Sequence, residues 1–222
     1  MPLYVVTKPE SIKGIYETWA ECKSKVDGVA GAVYQKVEDR DEAVALLEGR
    51  PIVLSPGLHV FTDGNHRGGV GVVVVWMGSD PDGEPVPVTE IATSVDRVFR
   101  GEMISLLDSD ESVDEAIAKS GNVLAELGGL YLALWQAPEK AALRIVHDYQ
   151  GVSAWLEGRW RANDPVVKSV VERCRELAAT KQLTLEFLWQ RGHTSTWAGR
   201  NDFARFNNRA DELATRGAET SG

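Results

Sequence analysis

Hydrophobic and polar positions in the first 48 residues come in short runs whose period changes several times. Leu3-Tyr4-Val5-Val6 predicts a strand, and Gly14-Ile15-Tyr16-Glu17 a second. Thr18-Trp19-Ala20-Glu21 has the spacing of a capping box, so a helix is predicted from Trp19 to about Val26, broken by Gly28 and Gly31. Ala32 to Val37 predicts a third strand, and Asp39 to Glu42 open a second helix through Leu47. Gly49 to Gly57, with Pro51 and Pro56, is the expected linker, although Ile52-Val53-Leu54 is apolar enough to pack.

From Leu58 the pattern changes. Leu58 to Thr62 is a strand ending at Asp63, a glycine-rich turn follows over Gly64 to Gly69, and Val70 to Met77 is strongly β-branched. Val86 to Thr93 is a third strand, and Pro87, which has no N–H for a ladder, places it at a sheet edge. These three predict an antiparallel meander. Residues 94–119 read as acidic and irregular, with a short helix capped near Ser112. Helical spacing then covers Asn122 to Gln136, Leu143 to His147 is a strand, and Val152 to Leu156 a short helix. Asp164-Pro165 is an N-cap with proline at the first helical position, and Val167, Val170, Val171, Cys174 and Leu177 mark one helix face. Leu183 to Gln190 is a strand, Asn207 to Arg216 the last helix, and Gly217 to Gly222 a mobile tail. Hairpinned strands followed by alternating helices and strands predict an α/β fold, a mixed sheet with helices on both faces, preceded by a small α+β unit.

Composition narrows the class. With 43% hydrophobic and 26% charged residues in 222, the chain is an ordinary globular protein, not a disordered, fibrous or disulfide-stapled one. No apolar run approaches the roughly 20 residues of a membrane helix. Met1 to Glu10 lacks a basic-then-apolar leader, and Cys22 and Cys174 read as two reduced core thiols, so a cytoplasmic protein is expected. The net charge of −9 speaks against a nucleic-acid partner, but its distribution matters more. Seven acids fall within residues 101–126, whereas residues 151–200 hold eight Lys or Arg against five acids.

Four acids stand in telling places. Glu126 is the only charged residue between Lys119 and Glu139, on a helix that is apolar nearly all round. A lone buried carboxylate is costly unless a partner or metal compensates it. Asp63 and Asp148 each close an apolar strand at its C-terminal end, where ligands bind in open α/β sheets, and they converge if those strands are neighbours. Asp211 lies near the start of the last helix. Taken singly, the aspartates also read as turn caps or helix-dipole partners.

Taken together, these residues carry a family resemblance. The chain resembles a type I ribonuclease H with an N-terminal hybrid-binding, or viroplasmin-like, domain. The N-terminal match runs through Tyr4-Val5-Val6, Gly14-Ile15-Tyr16, Thr18 to Cys22, Val26-Asp27-Gly28 and Gly31 to Tyr34. The second comprises Thr62-Asp63-Gly64, Asn122 with Glu126, His147 to Val152, Gly192-His193 and Asn208 to Ala214. The resemblance implies a ribonuclease H-like five-stranded mixed sheet over residues 58–217, a hybrid-binding domain over 1–48, a linker over 49–57 and a tail over 218–222. It makes Asp63, Glu126, Asp148 and Asp211 ligands of two Mg²⁺, replaceable by Mn²⁺, and His193 a mobile catalytic histidine that moves protons or helps product leave. The implied reaction is hydrolysis of the RNA strand of an RNA/DNA hybrid, leaving 5′-phosphate and 3′-hydroxyl ends. Gly64, Asn65, Asn122 and Gln150 match or adjoin positions that contact the hybrid. Trp19, Tyr34 and Lys36 match the first domain's aromatic and basic contacts, with a core role the alternative for the two aromatics. A monomer without a membrane partner is expected.

Departures from the family pattern are equally visible. Gln35 stands where a second basic residue is common, and residues 1–50 carry nine acids against seven bases. Val123 follows Asn122 where relatives often have a second asparagine, and Tyr149 replaces a common serine. Gly158 to Arg161 passes almost directly to Asp164, so the basic protrusion of some relatives is absent, and the stretch from His193 to Asp211 is long. These keep open a same-fold nuclease acting on double-stranded or structured RNA, or a hybrid-binding protein without catalysis.

Overall fold

The structure, a computed structural model, describes residues 2–37, 40–80, 83–100, 113–189 and 200–219. The chain divides into two compact units, Met1–Val53 with Thr196–Asp202 and Leu54–Ser195 with Phe203–Gly222.

In the first unit, β1 (Leu3–Lys8) is the centre of an antiparallel sheet, flanked by β2 (Gly14–Tyr16) and β3 (Val33–Val37). Alternation along β1 divides its side chains between two helices. Leu3 and Val5 pack with Val37 and with Ala43 and Leu46 of α2 (Arg40–Glu48). Val6 packs with Cys22 and Val26 of α1 (Trp19–Val26). The capping box forms as its spacing predicts. Thr18 Oγ1 accepts from Glu21 N and Glu21 Oε2 from Thr18 N, both at 3.2 Å. Such a cap is worth about 1 kcal/mol and fixes where α1 begins.

The second unit holds a five-stranded mixed sheet. β4 (Gly57–Gly64), β5 (Gly69–Met77) and β6 (Val86–Ser94) form the expected meander. β7 (Ala142–His147) runs parallel to β4, and β8 (Thr184–Trp189) parallel to β7, giving the order β6-β5-β4-β7-β8. Pro87 does lie on the edge strand, where the pairing register shifts between Val74 and Val75. The β-branched run of β5 is buried on both faces. Val70, Val72 and Val74 meet α3 (Val95–Arg100), α4 (Val113–Gln136) and α6 (Pro165–Thr180) in one core that also takes in Val152 of α5 (Gly151–Leu156). Val73, Val75 and Met77 meet Phe206, Ala210 and Leu213 of α7 (Asp202–Glu219). Helices on both faces of a mixed sheet are thus present. Cys22 and Cys174 are buried free thiols, and burial pushes Cys174 up to about 12. Among the described residues no helix is long and apolar enough to cross a membrane.

Three expectations need correction. Residues 95–100 are helical, because Val95, Val98 and Phe99 share one face and bury it in the core. The helix through Glu126 begins at Val113, with a break in helical geometry only at Ser120, while residues 101–112 lie outside the described residues. The last helix begins at Asp202 and continues past Gly217 to Glu219. Phe203 and Phe206 extend its apolar face against Phe61. Gly217 reads as a tail residue by propensity, yet a Cβ there would stand 1.9 Å from Thr93 O. Its bareness lets the helix lie on β6. Leu54, in the expected linker, is fully buried beside Phe61.

Candidate active site

Strand register brings the first two acids together. β4 and β7 pair in parallel with Phe61 opposite Val146, so Asp63 and Asp148, each two residues further on, leave adjacent strands side by side. Two glycines bring the others. Asp63 lies opposite Gly71 of β5, and a Cβ on Gly71 would stand 1.9 Å from Ala210 O. α7 therefore rests with its backbone on β5, and the residue after Ala210, Asp211, reaches Asp63. On the opposite face a Cβ on Gly64 would meet Glu126 N at 2.5 Å and Ala125 Cβ at 2.6 Å. α4 thus presses against the tip of β4. The Gly64 N–H donates to Asp63 Oδ1 at 2.8 Å and to Glu126 Oε1 at 3.2 Å. A motif of aspartate then glycine is what this junction requires: one residue supplies the carboxyl, the next a backbone without a side chain.

Oxygen atoms of Asp63, Glu126 and Asp148 all lie within 4.8 Å of one another. Asp211 shares a side-chain hydrogen bond with Asp63, as Asp148 does with Glu126. Burial raises the Asp63 carboxyl from its ordinary 3.8 to about 8, helped by the charges of Asp148 and Asp211, while the Gly64 N–H pulls it back. Glu126 is held well above the usual range, first by burial and then by Asp148 and Asp63. Like charges this close cannot all ionise in low dielectric. Glu126 Oε2 is buried and has no hydrogen-bond partner among the described residues. Hard oxygen donors, converging negative charge and an unpartnered carboxylate oxygen are the features that fit a divalent cation such as Mg²⁺. The four acids expected as ligands are therefore brought together in space.

Asn122 lies exposed on α4, one turn before Glu126, and Gln150 is exposed at the start of α5, two residues after Asp148. The Asn65 side chain is committed to its turn, where Oδ1 accepts from Arg67 N and Gly69 N, each at 3.0 Å. His193 falls outside the described residues.

In the first unit Trp19 is 40% and Tyr34 47% exposed, so neither is a core side chain. Their ring centroids are 5.5 Å apart, and Tyr4 continues the row at 5.5 Å from Trp19. Lys36 lies opposite Tyr4 in the β1–β3 register. Tyr4 enters the sequence reading only within the Tyr4-Val5-Val6 motif and not among the expected contact residues. Its signal was alternation: it shares a face with Val6, toward α1, and not with Leu3 and Val5.

Comparison with known proteins adds similarities. Residues 2–47 match the family model described as Ribonuclease H1 N-terminal domain. A Ribonuclease H of Saccharomyces cerevisiae is 41% identical over 56 residues, which are 25% of this chain and 15% of the yeast protein's length. Among solved structures, RNase H1 of the archaeon Halobacterium salinarum NRC-1 is 20% identical with a TM-score of 0.44, covering 74% of this chain and 98% of that one. LC11-RNase H1, solved in complex with RNA/DNA hybrid, is 18% identical with a TM-score of 0.48 and the same coverage. Residues 2–47 thus resemble a Ribonuclease H1 N-terminal domain, in a chain that is similar to a ribonuclease H over 56 residues.

Proposed function

We propose that this protein is a metal-dependent endoribonuclease that hydrolyses the RNA strand of RNA/DNA hybrids. The observation that carries the reading is the convergence of Asp63, Glu126, Asp148 and Asp211, with a buried Glu126 Oε2 that has no hydrogen-bond partner among the described residues. The match of residues 2–47 to a Ribonuclease H1 N-terminal domain and the likeness to a yeast Ribonuclease H support this substrate class. These four acids would hold two Mg²⁺, with Mn²⁺ able to replace them. Held there, such ions would supply an activated water and charge stabilisation for the departing 3′ oxygen, consistent with 5′-phosphate and 3′-hydroxyl ends.

The chain's own residues do the rest. Gly64 N–H and the packing of α4 fix the Asp63 and Glu126 oxygens, so the site is ordered before substrate arrives. Asn122 and Gln150 flank the acids with exposed amide groups suited to a 2′-hydroxyl in a shallow minor groove. His193 takes up or returns a proton as product leaves. Residues 1–48 grip the duplex, and residues 58–217 carry the catalysis. There Tyr4, Trp19 and Tyr34 offer ring faces to sugar and base, and Lys36 charge to phosphate. The protein acts as a cytoplasmic monomer.

A labelled RNA/DNA hybrid incubated in Mg²⁺ beside double-stranded RNA and double-stranded DNA tests this. Cleavage of the hybrid's RNA strand, abolished by Asp148→Asn, is expected. An intact hybrid, cleavage that survives Asp148→Asn, or faster cutting of double-stranded RNA overturns it.

A further inference from the structure

Beyond Val146 the chain no longer pairs with β4, and beyond His147 it no longer pairs with β8. Asp148 therefore lies just past the end of the ladder, in the turn that leads to α5 at Gly151. Beyond the ladder its backbone direction has to be held by other contacts if the carboxylate is to face both Asp63 and Glu126, with which its oxygens lie within 4.8 Å. Two ring nitrogens meet the turn's carbonyls. Trp189, the last residue of β8 and the register partner of His147, donates its indole Nε1–H to Asp148 O at 3.1 Å. His147 Nδ1 lies 3.0 Å from Tyr149 O.

We infer that Trp189 is a positioning residue for Asp148: its indole N–H fixes the Asp148 peptide plane, and with it the direction of the carboxylate. This rests on the metal-site reading of the four acids. The chemistry of the side chain suits the task. An indole N–H only donates and does not titrate, so the bond holds at every working pH. The ring is long enough to reach past the strand end, and its register partner ties it to the strand that carries Asp148. Trp189 is 36% exposed, more than packing alone requires of so large an apolar ring at a sheet end.

The test uses the full chain and three variants. Trp189→Phe keeps an aromatic ring and deletes the N–H, Trp189→Ala deletes both, and Trp160→Phe makes the same exchange at another exposed tryptophan. Calorimetric titration with Mg²⁺ alone reads the site without substrate. Steady-state cleavage of a hybrid separates KM from kcat. Losing one such hydrogen bond should weaken Mg²⁺ binding roughly two- to tenfold in Trp189→Phe. kcat should fall to match, KM for the hybrid and the melting temperature should stay put, and Trp160→Phe should behave as wild type. Unchanged Mg²⁺ affinity and kcat in Trp189→Phe overturn the inference. So does a pattern in which Trp189→Ala raises only KM while Trp189→Phe is silent, which would make the ring a substrate platform. Wild-type protein that binds no Mg²⁺ overturns the underlying metal-site reading instead, so the two failures are told apart.

Discussion

Replacing Asp63 by asparagine should stabilise the metal-free protein at alkaline pH. The Asp63 carboxyl stands near 8 in the fold against 3.8 when free. At pH 7 the unfolded chain holds it ionised and the metal-free fold holds it mostly protonated. Taking up that proton costs about 4 kcal/mol, at about 1.4 kcal/mol per unit of pKa. This is a ceiling, since Asp148 and Asp211 share the repulsion that creates it. Because the folded pKa lies above the unfolded one, the group's contribution is fully present below about pH 4. It is lost as pH rises through 8. Asparagine removes the charge and keeps a carbonyl for the Gly64 N–H, which now donates to Oδ1 at 2.8 Å. Thermal denaturation in EDTA is the assay. At pH 8 the asparagine variant should melt roughly 5–10 °C above wild type, taking about 2–4 °C per kcal/mol for a chain of this size. Below about pH 4 the gap should close. Mg²⁺ should raise the melting temperature of wild type at pH 8 and do much less for the variant. A variant that melts no higher than wild type at pH 8, or a gap that ignores pH, would refute the reasoning.

Gly71→Ala places a methyl where Ala210 O already lies, so α7 must lift from β5; a loss of more than about 2 kcal/mol by urea denaturation and at least tenfold weaker Mg²⁺ binding by calorimetry are expected. Trp19→Ala breaks the exposed ring row, and anisotropy with a labelled hybrid should show its Kd rising about fivefold or more while kcat on saturating hybrid is unchanged. Lys181→Met removes an ammonium that donates to Leu134 O at 3.2 Å, to Ala137 O at 2.8 Å and to Trp135 O at the end of α4; urea denaturation should show a loss of about 1.5–3 kcal/mol.

Much of this was legible in the sequence where a local rule has a local cause. The Thr18–Glu21 box marks where α1 begins, because capping is settled within four residues, and Gly28 marks its end. The strand-end positions of Asp63 and Asp148 were visible, and so was the oddity of Glu126 in an apolar helix. What stayed hidden depends on contacts remote along the chain. Gly217 looks like an ending until Thr93 is found beneath it. Phe203 looks like loop until Phe61 is found beside it. Residues 95–100 carry helical apolar spacing too short to stand out beside the acidic run that follows. The Trp189 contact depends on the pairing of β7 with β8, which a single sequence does not state.

The seating of α7 has a consequence for anyone who would redesign this molecule. The helix touches the sheet through main-chain atoms at Gly69, Gly71 and Gly217, with no intervening side chain to choose a new rotamer. Such a joint has no tolerance to adjust, so it resists drift when surrounding side chains are repacked and fails abruptly when a single methyl is introduced. The spacing it sets is in effect machined into the polypeptide, and attempts to tune the chemistry are better aimed at the softer joint beside Asp148.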